Sequence, residues 1–205
     1  MEKELNEQDS LRLITEMITQ ARSNFQKGRG DGIVFWGYTI AIIALANFVL
    51  LQIFGYQPAI YWVWALTIPI FIIHYMIELK RGKKALVKNG INEIIGHVWF
   101  AYAISSAVFV TSIFIIGTWD SVVFLLINPA LIGMSGLCIY VTGRVCRFKP
   151  FVYGAYVFWC GALISAIILV VCHAIDFQFL ILALCMIIGF VTPGHILNRK
   201  VDQDV

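Results

Sequence analysis

A short serine motif is the first group of residues whose types and spacing could do chemistry. Gly133-Met134-Ser135-Gly136 is a GxSG sequence, and His195 lies further along the chain. A serine and a histidine can act as nucleophile and base when they come within hydrogen-bond reach and when water and oxyanion donors are at hand. The motif therefore raises the hypothesis of an intramembrane serine protease.

The positions of Ser135 and His195 argue against a protease of the rhomboid type. Both residues lie deep in apolar segments or near their cytoplasmic ends, and they differ in depth by about 6 Å at 1.5 Å per residue. Rhomboid proteases place this pair near the outer helix ends and carry a long first loop with a Trp-Arg pair. The corresponding connection here, residues 55–59, is short. We expect a protein that is not an enzyme, with the protease as a remote alternative.

Two histidine–glutamate pairs form the second group. His74 and Glu78, and likewise Glu93 and His97, are four residues apart, which puts each pair on one helix face. A hairpin would bring the four side chains to similar depth, where they could bind a divalent metal or pass protons. Side chains that reach for headgroups and nearby lysines explain the same residues without a site. We favour this second interpretation and expect no metal and no other cofactor.

The composition predicts the elements that must position these residues. The chain of 205 residues is 60% hydrophobic and 13% charged, which is too apolar for a soluble domain. A membrane-spanning helix needs about 20 apolar residues. We therefore predict an all-α polytopic membrane protein with six transmembrane helices, at residues 32–54, 60–77, 94–116, 122–142, 151–172 and 179–196.

The remaining sequence predicts a simple domain organisation. Residues 1–31 form a cytoplasmic N-terminal segment, in which apolar residues at helical spacing predict an amphipathic helix at 9–25. Residues 32–197 form the six-helix transmembrane domain, and residues 198–205 a short cytoplasmic tail. The N-terminal helix would lie on the membrane or dock a second copy or a cytoplasmic partner.

The charge distribution predicts the orientation of the chain. Residues 78–93 form the only strongly charged segment between two apolar runs, and five of them are Lys or Arg. All fifteen Lys and Arg fall in four segments, which are this loop, residues 1–31, residues 143–150 and the tail after Leu197. If the chain crosses the membrane six times, these four segments lie on the same side. Basic segments stay in the cytoplasm. We predict a multi-pass protein of the bacterial cytoplasmic (inner) membrane with both termini in the cytoplasm.

The fourth predicted span has the most irregular sequence. Pro129 removes a backbone donor and frees a carbonyl one turn earlier, while Asn128 brings an amide that needs partners in a dry environment. We expect a kink here, and small residues on the fourth and fifth spans suggest close helix packing. The alternative is a broken helix that lines a transport path through Asn128 and Pro129, with Thr192 and Pro193 of the last span.

Other kinds of site have little support in the sequence. The five cysteines have no CxxC spacing and are typical of small buried apolar residues. On the outer side, Asp120, Cys172, His173 and Asp176 would form a sparse rim. No phosphate loop, dinucleotide fingerprint or HExxH motif occurs. The basic residues sit at helix ends, where topology explains them, so we expect no nucleic-acid partner.

Several stretches resemble a largely uncharacterised family of six-span integral membrane proteins of Bacteroidota-type bacteria. They are the opening run from Ser10 to Asn24 and Phe25, Phe35-Trp36-Gly37, the run from Arg147 to Pro150 leading to Phe158-Trp159, and the final run from Pro193 to Asn198. The resemblance implies the fold and the membrane location. It implies no activity and no catalytic residues.

These observations predict a non-enzymatic scaffold or a regulatory interaction protein of the cytoplasmic membrane. Its partners would be the lipid bilayer and either further copies of itself or a membrane or cytoplasmic protein. A small transporter or channel through the Asn128-Pro129 region is the alternative. Replacing Asn128 by leucine would leave a scaffold folded but would abolish flux through such a path.

Overall fold

The computed structural model describes residues 12, 15, 29–82, 90–117 and 121–203. It is 93% helical, the described residues include no strand, and six helical segments are long and apolar enough to cross a membrane. The chain is thus an all-α polytopic membrane protein, as its composition predicted. The six segments are Asp31–Phe54, Pro58–Ile77, Glu93–Ile116, Val122–Val145, Lys149–Cys172 and Phe177–Arg199.

Seven α-helices, two 3₁₀ segments and a π-helical turn build these spans within the described ranges. The predicted amphipathic helix at 9–25 lies outside them apart from Arg12 and Thr15, which are both helical. The elements are α1 (Arg29–Phe54), a 3₁₀ segment (Pro58–Leu66) leading into α2 (Thr67–Gly82), α3 (Gly90–Ile116), a 3₁₀ segment (Ser121–Leu126) leading into α4 (Ile127–Val145), α5 (Lys149–Cys172), and α6 (Phe177–Met186) joined by the π-turn (Ile187–Val191) to α7 (Thr192–Gln203).

Each even-numbered span changes its helix type just before a proline. Pro69 and Pro129 are the third residues of α2 and α4, directly after the two 3₁₀ segments, and Pro193 is the second residue of α7, after the π-turn. Proline is tolerated in the first turn of a helix because its missing N–H would have no intrahelical partner there. The irregularity expected at Pro129 thus takes the form of a change from 3₁₀ to α-helix.

The last span forms the centre of the bundle, where glycines let neighbouring backbones approach. Gly154 of α5 lies against the carbonyl of Gly189 in the π-turn, so a Cβ at position 154 would run into that oxygen. Gly161 leaves room for the Cys185 side chain, and Gly37 of α1 faces Val191. The last span is half buried over its most apolar window, the largest share of the six. Close small-residue contacts of this kind hold membrane helices together.

The spans are arranged as an open arc. The last span packs between α1 and α5, α4 packs mainly on α5, α3 packs on α4, and the second span packs on α1. The second and third spans are not a packed pair within the described residues, and little of either is buried. They therefore stand at the two ends of the arc, and the space between them, across which their described residues form no packed pair, is called the gap.

A tight turn joins α4 and α5 at the predicted cytoplasmic end. The Phe148 N–H donates to the Gly143 carbonyl at 2.9 Å, and Arg147 adopts a left-handed conformation with φ of 52°. This pattern is a Schellman cap, in which glycine usually occupies the left-handed position. Phe148 is buried against Phe151, with ring centroids 5.2 Å apart. The turn thus fixes how α5 leaves α4.

Candidate functional site: an aromatic cavity between the spans

A cavity of about 1400 Å³ lies inside the arc. Its lining comes from the first four spans, the α4–α5 turn, α5 and the last span, and it extends from Pro58 and Ile175 at one end of the bundle, the predicted outer end, to Gly32 and Leu197 at the other. Sites for drug-sized molecules usually enclose about 300–1,000 Å³. This cavity is large enough for a long-chain molecule.

Aromatic side chains form much of the cavity wall. Trp99 of α3 packs against Phe190 of the π-turn with ring centroids 5.6 Å apart, so this side chain of the third span reaches the last span. Near the predicted outer end, Trp64 and Tyr61 lie against Phe179 with ring centroids 6.2 and 5.9 Å apart. All five rings line the cavity. Asp, Glu, Lys and Arg are absent from its described lining, in which His74 is the one histidine, so the wall is largely apolar.

One face of α4 supplies polar groups to the cavity. Asn128, Ser135 and Thr142 are seven residues apart, which is two helical turns, and all three are buried residues of the lining. The Thr142 hydroxyl donates to the Cys138 carbonyl at 2.7 Å. The Ser135 hydroxyl lies 2.8 Å from the Leu131 carbonyl and 2.9 Å from the Tyr102 hydroxyl. Because Ser135 has one proton to give, the Tyr102 hydroxyl can donate to it while it donates to Leu131.

Asn128 differs from the other polar residues of this face. Its side chain is 8% exposed, and its Nδ2 has no hydrogen-bond acceptor in the described part of the chain. A buried donor without a partner costs about 1–3 kcal/mol, so such a group calls for a ligand or an ordered water. Among the described lining residues, Asn128 is therefore the one whose fully enclosed polar atom has no partner.

The residues around Asn128 explain why the chain is irregular there. Pro129 has no N–H to give to the Leu125 carbonyl one turn earlier. The Gln178 Nε2 of the last span donates to that oxygen at 3.4 Å, and Gln178 is only 2% exposed. The last span thus compensates for the proline of the fourth. Sequence analysis missed Gln178, although a glutamine at the start of an apolar span is a usable signal.

The other three residues proposed for a transport path do not line the cavity. Pro129 begins α4, and Pro193 is buried in α7. The Thr192 hydroxyl donates to the Ile187 carbonyl at 2.9 Å, within the π-turn. Of the four predicted path residues, Asn128 is the one that lines the cavity.

Ser135 and His195 have separate partners. Ser135 bonds to Leu131 and Tyr102, while the His195 Nε2 lies 3.2 Å from the Tyr38 hydroxyl of α1. No hydrogen bond joins Ser135 to His195 among the residues that the structure describes.

The glycines of the GxSG motif lie in the contact between α4 and α5. The Gly133 carbonyl accepts a hydrogen bond from the Trp159 indole at 3.2 Å, and a Cβ on Gly136 would meet the same indole at 2.8 Å. Packing is thus a sufficient explanation for the small residues of the motif.

The histidine–glutamate pairs lie on different sides of the gap. His74 lines the cavity and stacks on Phe35 with centroids 4.8 Å apart. Glu93 and His97 are exposed on α3. The described residues contain no group of three or more His, Cys, Asp or Glu side chains that could hold a metal ion. The Glu78 side chain lies outside the described part, so the alternative of a site formed by all four residues is not tested.

The predicted outer rim is only partly described. Asp176 accepts a hydrogen bond from the Gln52 amide, which ties the last span to α1. Cys172 and His173 are exposed at the end of α5, and His173 has a left-handed conformation with φ of 51°. Asp120 lies outside the described residues. This end of the bundle is thus held by a side-chain contact between two helices.

Comparisons with known proteins add no family to this description. No protein-family model matches the chain, and neither a curated protein nor a solved structure matches it. The resemblance to a six-span family of Bacteroidota-type bacteria accordingly stays a prediction.

Proposed function

We propose that this membrane protein binds a lipid-like molecule, taken from the bilayer through the gap between the second and third spans. The observation that carries the proposal is the large uncharged cavity inside the arc, with a wall that is largely aromatic. Such a wall offers apolar contact to an acyl or isoprenoid chain, and its described part holds no Asp, Glu, Lys or Arg to pair with an ion. A binding role of this kind is a form of the non-enzymatic interaction protein that the sequence predicts.

The position of the gap supports access from the membrane. The second and third spans are the least buried of the six, so their outer faces lie toward lipid. A lipophilic molecule that moved between them would stay in an apolar environment throughout, and would not pay the cost of crossing water. Both spans also contribute to the wall, through Trp64 and Trp99.

The proposal includes the location and partners that the charge distribution predicts. The protein is placed in the bacterial cytoplasmic membrane with both termini in the cytoplasm, because the basic segments all fall on one predicted side. The bilayer is its first partner, and a second copy or a membrane or cytoplasmic protein its second. We propose no enzymatic activity, no cofactor and no nucleic-acid partner.

A cavity-filling variant tests the proposal. Ala103 of α3 lines the cavity, whereas Ala107 is exposed one turn further on the same helix and does not line it. The protein and its Ala103→Trp and Ala107→Trp variants would be purified in mild detergent, and their bound lipids counted by native mass spectrometry. We expect a lipophile on the wild type and on Ala107→Trp, and a clear loss on Ala103→Trp. Equal lipid content in both variants would refute a bound molecule in the cavity.

A transporter is the second candidate, and one observation favours it. The cavity lining extends from the outer to the inner ends of the spans, as a translocation path requires. Reconstituted vesicles would separate the two functions. Movement of a fluorescent lipophile between leaflets above the rate of empty vesicles, lost in Ala103→Trp, would favour transport. Binding without movement would favour a receptor or scaffold.

A further inference from the structure

We propose that the molecule in the cavity is a neutral lipophile whose carbonyl oxygen accepts a hydrogen bond from the Asn128 amide. Its apolar tail would extend toward Trp36 and Phe190. This inference rests on the proposed function and specifies the chemistry of its ligand. It follows from the unpartnered donor, the uncharged wall and the aromatic lining.

The first of these observations is the unpartnered donor, Nδ2 of Asn128. Four buried side-chain atoms have no hydrogen-bond partner in the described residues, and they belong to Asn47, Ser106, Asn128 and Ser165. Asn128 is the one of these four that lines the cavity. Rotation about the Cβ–Cγ bond of an asparagine has a broad energy profile, so its enclosed NH₂ group can turn toward a ligand. What Nδ2 lacks is an acceptor, which a carbonyl oxygen supplies.

The depth of Asn128 suits an oxygen near the head of a lipophile. The last span meets the fourth where the Gln178 amide bonds to the Leu125 carbonyl. Asn128 follows Leu125 by three residues and so lies about 5 Å further along the fourth span, at 1.5 Å per residue. A molecule with its oxygen there would point its apolar part along the rest of the cavity. That part of the wall includes Trp36, Trp99 and Phe190.

The wall requires the ligand to be neutral. No described Asp, Glu, Lys or Arg lines the cavity, and every Lys and Arg of the chain falls in the segments predicted to be cytoplasmic. His74 is the one described lining side chain that could carry a positive charge, and it lies beside Gly32, at the other end of the cavity from Asn128. A phosphate or ammonium group near Asn128 would lose its hydration without gaining a counter-charge. Esters and ring carbonyls meet the requirement, whereas charged headgroups do not.

The aromatic lining favours a flat carbonyl-bearing ring. Tyr61 and Trp64 lie against Phe179 in the predicted outer half of the wall, and Phe179 directly follows Gln178 in the chain. Aromatic faces gain energy from stacking on a planar ring beyond the burial of its area. We therefore expect a quinone-type ring to bind more tightly than a glycerol ester that carries the same kind of oxygen.

The test uses the full-length protein in mild detergent. A benzoquinone with a short isoprenoid tail is titrated, and binding is followed by quenching of tryptophan fluorescence. A short-chain diacylglycerol and the isoprenoid hydrocarbon without a carbonyl are then used to displace it. Asn128→Leu removes the proposed donor. Ser165→Ala is the matched control, since it also removes an unpartnered buried polar atom but lies away from the cavity.

We expect the quinone to bind about three- to tenfold more weakly to Asn128→Leu, the loss that one neutral hydrogen bond gives, and equally well to Ser165→Ala. The hydrocarbon should displace the quinone poorly from the wild-type protein. This comparison tests the carbonyl contact without any variant. A diacylglycerol that binds more tightly with the same dependence on Asn128 would support the carbonyl contact and identify the source as an ester.

Two other results would overturn the inference. If the hydrocarbon competes as well as the quinone, or if Asn128→Leu matches Ser165→Ala, the carbonyl contact is refuted while apolar binding stands. If none of the three molecules binds and no lipid copurifies, the proposed function is refuted together with it.

Discussion

Replacing Gly189 in the π-turn by alanine should destabilise the bundle strongly. A Cβ there would lie 2.7 Å from the Phe158 ring and 2.9 Å from the Gly154 carbonyl oxygen, whereas ordinary contact begins at 3.4 Å. The ring would have to withdraw by about 0.7 Å, but Phe158 is fully buried and the Gly154 oxygen belongs to the backbone. Overpacking of this kind costs about 1–3 kcal/mol, and we expect the upper end.

The effect is measurable as a melting temperature in detergent. A loss of about 3 kcal/mol lowers the Tm of a chain of this size by about 6–12 °C, on the scale of about 2–4 °C per kcal/mol for soluble domains. Gly96→Ala is the matched control, because a Cβ at position 96 meets no atom within 4 Å. Its Tm should stay at or slightly above that of the wild type, since alanine favours helix. A Tm of Gly189→Ala within about 2 °C of the control would refute the packing described for the last span.

Three further predictions follow from single side chains. Arg147→Gly should raise stability by about 0.5–1 kcal/mol, because glycine adopts the left-handed conformation of this position without strain. Arg144→Gly loses the same charge inside α4 and should lower stability. Both changes are measured as a shift in Tm. Gln178→Leu should cost about 1–2 kcal/mol by leaving the Leu125 carbonyl without its donor, while the same change at the exposed Gln57 should have little effect. A membrane-impermeant maleimide added outside intact cells should label the exposed Cys172 and should fail on Cys172→Ser; labelling only after permeabilisation would contradict the predicted orientation.

The sequence predicted the spans well because their signal is local. Twenty apolar residues in a row identify a membrane helix wherever its neighbours lie, and the observed ends agree with the predicted ones to within about three residues. The proline at 129 was also a sound signal of irregular backbone. Its form was not predictable, because whether a proline kinks a helix or begins one depends on the preceding segment, here a 3₁₀ segment.

The cavity could not be predicted because it depends on which spans meet. Trp64 and Trp99 carry no signal of a cavity in the sequence, and each becomes part of a wall only when the second and third spans stand at opposite ends of an arc. The Gln178 contact with Leu125 likewise joins residues 53 positions apart. No periodicity within one span contains that information.

The polar residues of the even-numbered spans differ in whether their hydrogen bonds already explain them. Pro129 exposes a carbonyl that Gln178 satisfies, and Thr192 satisfies a carbonyl inside the π-turn. Gln178 and Thr192 each pair a backbone carbonyl in an irregular part of a span, and this structural role is enough to explain them. Asn128 has no such role for its donor, although it lies in the same segment as Pro129. A functional hypothesis for this chain consequently has to account for Asn128 before any other polar residue of the spans.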